Sequence, residues 1–120
     1  MRDVILVGDE TFTLDRIKAV SHTGSIVIYE NLRENEYQVK YGYKDYVIYI
    51  HDNSAVANYE KKELKKIPYS APNFIFMSFH NIERFKDIIN QKDFPKDIYI
   101  DNDNFLILPI DQYIKKGMPL

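Results

Sequence analysis

The sequence predicts a single α+β domain over residues 1–120: an antiparallel sheet carrying two main helices and a short C-terminal one. Three observations predict it. Residues 36–41 alternate cleanly, with Tyr37, Val39 and Tyr41 on one face and Glu36, Gln38 and Lys40 on the other, as a half-wet strand requires. Asn81 precedes Ile82, Phe85, Ile88 and Ile89, a capped helix with one apolar side. Two short apolar runs, 98–100 and 105–108, flank Asp101-Asn102-Asp103-Asn104 and read as a hairpin.

The N-terminal half reads as a β-meander. Val4–Val7 is a short buried strand closed by the turn signal Gly8-Asp9-Glu10, and Thr11–Leu14 suits a second strand. Residues 15–20 fit either period, since Leu14, Ile17 and Val20 share a helical face while Ile17, Ala19 and Val20 also suit a strand. The strand is preferred, because His22-Thr23-Gly24-Ser25 then turns it into Ile26–Tyr29. Asn31–Asn35 is a polar turn, and Gly42 ends the strand begun at Glu36. Tyr46–His51 is apolar on both faces and is expected to be covered on both.

The second half adds the helices. Asp52-Asn53-Ser54 offers N-caps for a helix over 55–66, with Val56, Tyr59, Leu64 and Ile67 as its apolar stripe and Pro68 as its stop. Phe74–Phe79 is a strand, the Asn81 helix follows, and the chain turns around Pro95 into the hairpin. Ile110–Ile114 begins the last helix, which ends near Gly117.

Composition narrows the function. No cysteine is present, which removes disulfides and thiol chemistry and fits a reducing compartment. Val4–Val7 is too short for a signal peptide and no run reaches the ~20 apolar residues of a membrane span; the cytoplasm is the expected location. Residues 1–60 carry six Lys/Arg against ten Asp/Glu, and residues 61–120 carry ten against eight. Much of the positive charge lies in Lys61, Lys62, Lys65 and Lys66, and a pI near 5.9 disfavours general affinity for nucleic acid. Ten Tyr and no Trp suit both a strand-rich fold and a protein-binding surface.

No catalytic motif is legible. The histidines at 22, 51 and 80 lack the spacing of a metal site, and their regular interval is a coincidence. The stretch from Asp101 fails as a calcium loop, with Leu106 and Gln112 where glycine and glutamate are needed. Asp97, Asp101, Asp103 and Asp111 allow a metal-dependent hydrolase or nuclease as an alternative, although Asp101 and Asp103 should splay into water across a turn. Phe74, Phe76 and Tyr99 allow a second alternative, a sheet that stacks single-stranded RNA. From Asp97 to Ile114 these four carboxylates stand without a single Lys or Arg. That imbalance suits a surface meant for a basic partner or a cation.

Within Phe74–Ile114, a strand ending in Ser78-Phe79-His80-Asn81 precedes an Ile/Phe helix. Ile98-Tyr99-Ile100-Asp101-Asn102-Asp103 and Ile107-Leu108-Pro109-Ile110 with a following aromatic complete the pattern. This third of the chain resembles small immunity proteins of bacterial polymorphic toxin systems, with Asn104 where those proteins often carry Gly. The resemblance implies a cytoplasmic, non-enzymatic inhibitor that occludes a toxin with a basic surface and needs no cofactor or metal. The expected partner-binding residues are Asp97, Tyr99, Asp101 and Asp103 on the hairpin, with Tyr41, Tyr43, Asp45 and Tyr46 as a second cluster.

Overall fold

A computed structural model describes residues 1–30 and 33–120. Its frame is a seven-stranded, wholly antiparallel sheet in the order β2-β3-β4-β5-β1-β6-β7. The strands are β1 (Arg2–Gly8), β2 (Val27–Glu30), β3 (Glu36–Gly42), β4 (Asp45–His51), β5 (Asn73–Phe79), β6 (Tyr99–Asp101) and β7 (Ile107–Pro109). The meander runs β2 to β5, while β1 lies between β5 and β6, paired Arg2↔Phe79 on one side and Ile5↔Asp101 on the other. An α+β architecture is therefore as expected, with the first strand in the interior of the sheet beside the central β5.

Helix α1 (Leu14–Lys18) occupies part of the segment expected to be strand. Asp9 closes a tight turn by accepting from the Thr11 N–H at 2.8 Å, and the Phe12 N–H returns to the Asp9 carbonyl. Phe12 then folds over Gly8, where any Cβ would overlap its ring. That close approach forbids a second strand at Thr11–Leu14 and leaves Ile17 and Val20 to bury themselves from a helical turn. The hairpin expected at His22–Ser25 is absent for the same reason. His22 goes into the core, and β2 begins only at Val27.

The expected helix over 55–66 is broken in two. A 3-10 helix (Asn53–Asn58) is capped by Asp52, whose carboxylate accepts from the Ser54 N–H at 3.0 Å. Asn53 ties its start to β5, donating to Asn73 Oδ1 at 2.8 Å and accepting from the Phe74 N–H at 2.9 Å. Tyr59 is extended, and α2 (Lys61–Leu64) restarts as Glu63 accepts from the Glu60 N–H at 2.9 Å. Helix α3 (Ile82–Asn90) matches expectation: Asn81 accepts from the Arg84 N–H at 3.1 Å and buries Phe85, Ile88 and Ile89. Lys96 finishes it by donating to the Ile89, Gln91 and Phe94 carbonyls at 2.8–3.1 Å. Helix α4 (Ile110–Lys115) buries Ile110 and Tyr113.

Strand alternation divides the side chains between two faces. Helices α1, α3 and α4 cover one face, over Val4, Leu6, Val39, Val47, Ile75 and Met77, where Phe79 stacks on Phe85 with centroids 4.3 Å apart. The 3-10 helix, Tyr59 and Ile67 cover only part of the other, over Ile5, Val7 and Phe74. Tyr46 and Ile48 are therefore half-buried and Ile50 is exposed. This corrects the expectation that 46–51 is covered on both faces: the second layer is too short to reach β4.

Candidate functional site

The hairpin between β6 and β7 is built from two successive Asx turns. Asp101 accepts from the Asp103 N–H at 2.8 Å; Asn102 accepts from the Asn104 N–H at 2.9 Å and the Leu106 N–H at 3.2 Å. The Asn102 amide donates to the Pro119 carbonyl at 3.1 Å, anchoring the C-terminus to the tip. Asp103 and Phe105 both take positive φ, 57° and 67°. For aspartate that conformation is ordinary. For phenylalanine it is unfavourable, because its Cβ crowds the neighbouring carbonyl. The structure places Phe105 outside β7, its ring 98% exposed at the tip. Nothing in the fold gains from it.

The acids of this region do not all splay outward. Asp101 is buried and accepts from the Tyr59 hydroxyl at 2.6 Å. On the partly covered sheet face, Asp3, Glu63, Asp101 and Asp103 converge on a cleft of about 200 Å³, walled by Ile5, Tyr59 and Phe76. No Lys or Arg lines it. Partial burial, then the charges of Asp101 and Asp3, raise the Asp103 pKa above its ordinary value. The ionised cluster is therefore favoured by a cation. Arg2 lines a separate depression against Asp103, and Lys62 and Lys66 lie with Phe105 around a third. Asp3 and Glu63 were missed by sequence reasoning. The period-2 pairing of Asp3 with Ile5 was a usable signal; the approach of Tyr59 and Glu63 was not.

Asp97 and Tyr99 stand apart from this cleft. Asp97 lies two residues before β6 and Tyr99 begins it, pairing with Val7 toward the opposite end of the sheet. Arg16 grips Asp97 with two contacts, at 2.6 and 3.2 Å, and lowers its pKa. Tyr99 packs edge-on against Tyr69, with centroids 5.9 Å apart. Asp111 is exposed on the first turn of α4.

The β3–β4 hairpin divides by role. Tyr41 is buried beneath the Arg84 guanidinium, 4.1 Å from the ring centroid, and burial raises its pKa. Asp45 accepts from Arg84 at 3.1 Å. These two residues lock the hairpin to α3. Tyr43 is 87% exposed at the turn, and Tyr46 meets His80 edge-on with centroids 5.0 Å apart. The registers Val47↔Phe79, Phe79↔Arg2 and Ile5↔Asp101 put this hairpin and the acidic tip at the same end of the sheet. Three strand spacings, roughly 14 Å, separate β4 from β6. By alternation Tyr46 and Asp101 lie on the same face. The structure thus brings together Tyr43, Tyr46, Asp101 and Asp103 with Asp3 and Phe105, and leaves Asp97 and Tyr99 elsewhere.

The histidines are scattered. His22 is in the core, 2.7 Å from the Tyr49 hydroxyl; His51 contacts Asn53; His80 contacts Tyr46. Among the described residues no three His, Asp or Glu side chains are disposed as metal ligands. Phe74 is buried and Phe76 half-buried, so the aromatics considered for base stacking are largely taken up by the second layer. Among the described residues no helix is long and apolar enough to cross a membrane. No family model, curated protein or solved structure matches the chain.

Proposed function

We propose that this chain is a non-enzymatic binding protein that inhibits a basic partner by occluding it, most concretely a cytoplasmic immunity protein against a bacterial toxin. One observation carries the reading: Phe105, two residues beyond the Asp103 of the acidic cleft, is an almost fully exposed aromatic held at positive φ at the hairpin tip. A fold that needed only a turn would place Asn or Gly there. An exposed aromatic on the same hairpin as a carboxylate cleft that no Lys or Arg lines has the composition of a binding hot spot. In complex, the partner's Lys or Arg enters between Asp3 and Asp103, Phe105 fills an apolar pocket, and Tyr43 and Tyr46 widen the contact. Carboxylates then set orientation and choice of partner, while the aromatic rings supply most of the affinity.

The test separates binding from folding. Phe105→Asn relieves the backbone and so leaves stability unchanged or raises it by up to about 1 kcal/mol. The same change should weaken the partner complex by about 2 kcal/mol, roughly thirtyfold. The partner is identified by capture on the tagged wild-type chain from lysate of its source cells, followed by stoichiometric inhibition of the captured protein. Equal capture by wild type and Phe105→Asn, or a captured protein whose activity is untouched, would overturn the proposal.

A further inference from the structure

The two edges of the sheet are finished differently. At one, β7 is three residues long, ends in Pro109 and passes directly into α4. Proline and brevity are the usual protections of an edge. At the other, β2 is nearly as short, at four residues, but carries no Pro and does not run directly into a helix. Val27, Ile28 and Tyr29 are exposed, Ile26 before them is 65% exposed, and no Lys or Pro interrupts the run. Every second residue of an edge strand turns its N–H and C=O outward, unpaired. Among the described residues no strand lies beyond β2.

We propose that β2 pairs antiparallel with β2 of a second copy of this chain, joining two sheets into one of fourteen strands. The strand is complementary to itself. Centred on Ile28, the pairing sets Val27 against Tyr29 of the second copy on one face. On the other face Ile28 meets Ile28 of the second copy. A β-branched residue beside an aromatic is a favourable cross-strand pair. The only charge, Glu30, falls opposite Ile26 of the second copy. The two Glu30 carboxylates are then roughly 14 Å apart along the strands, beyond a physiological Debye length of about 8 Å. Parallel pairing would instead set Glu30 beside its copy.

The basic partner proposed above is a poorer occupant. The acidic cleft lies at β1 and β6, four to five strand spacings away, roughly 20–24 Å. Dimerisation therefore leaves that cleft free, and the inference stands whether or not the partner reading does. Five residues a side is a small part of the roughly 20–30 of a standard interface. The dimer is accordingly weak, with a dissociation constant on the order of 100 µM.

Sedimentation equilibrium of the full chain from about 10 µM to about 1 mM reads this directly. The weight-average mass should rise above 14.3 kDa toward twice that value. Ile28→Lys places two ammonium groups face to face at the centre of the pairing and should hold the chain monomeric. Its exposed position lets the fold survive, as circular dichroism would verify. Hydrogen exchange of wild type supplies a readout that needs no variant: the β2 amides should gain protection as concentration rises, with β7 unchanged. A chain that stays monomeric to about 1 mM overturns the inference and leaves β2 to an extended segment of another protein. A dimer that persists in Ile28→Lys, or concentration-dependent protection elsewhere, also overturns it.

Discussion

His22 shows how one side chain can set a pH limit on the fold. Its ring is buried between the Val20 carbonyl, 3.0 Å away, and the Tyr49 hydroxyl, 2.7 Å away. Burial is the largest influence and lowers its pKa; the Val20 carbonyl and the more distant Asp93 oppose it without winning. Because the folded pKa lies below the unfolded value near 6.5, the unfolded chain binds more protons between the two. Stability is thus fully present above about pH 6.5 and is lost as pH falls toward the folded pKa. Urea denaturation between about pH 7.5 and 5.5 should show a loss of no more than about 1.4 kcal/mol per pH unit in this window. Asp9, Asp52, Asp93 and Asp97, whose pKa values are lowered, act below it. His22→Asn should be less stable at neutral pH yet flat across the window; a retained slope would assign it to another group. The sequence shows His22 only as a polar residue in a turn-rich stretch. Its burial depends on Tyr37 and Tyr49, whose rings lie 6.1 and 5.5 Å from it across the sheet.

Among the elements, those whose stabilising contacts are local were legible and those held from a distance were not. Helix α3 carries its own cap at Asn81 and its own apolar side, and β3 carries its own alternation. The segment after Asp52 has a helical stripe just as clear, yet Asn53 is claimed by Asn73 and Phe74 twenty residues later. Tyr59 is likewise claimed by Asp101. Those tertiary bonds outweigh a weak local propensity. The same distinction covers the site. The Asx geometry of Asp101 and Asn102 follows from local sequence, whereas the joining of Asp3 and Glu63 to it requires β1 to lie beside β6. Helix α3 also yields a prediction at its other end. Lys96 donates to three carbonyls there while burial lowers its pKa, so the charged group is engaged despite partial desolvation. Lys96→Met keeps the apolar stem and removes those bonds, and should destabilise by about 1–2 kcal/mol in urea titration. An unchanged midpoint would show that the ammonium group contributes nothing to ending the helix.

At the scale of the whole molecule, the antiparallel registers collect the β3–β4 turn and the acidic β6–β7 tip at one end of the sheet, although β3 and β6 are far apart in sequence. The chain's net charge is only −2, so any attraction it exerts on a basic partner is local to that end. Local charge that is exposed acts mainly on the rate of encounter, whereas a desolvated aromatic acts mainly on the lifetime of the complex. The two features of the site should therefore separate kinetically. Raising ionic strength from about 20 to about 200 mM should slow association about tenfold and leave dissociation nearly unchanged, since the Debye length shrinks below the reach of the cleft. Asp103→Lys should slow association at low salt and flatten that dependence. Phe105→Asn should keep the salt slope and accelerate dissociation about thirtyfold. Stopped-flow association and surface-immobilised dissociation with the captured partner measure both. If Phe105→Asn instead altered only the association rate, the ring would be acting before docking and not within the contact, and the anchor role assigned to it would fall.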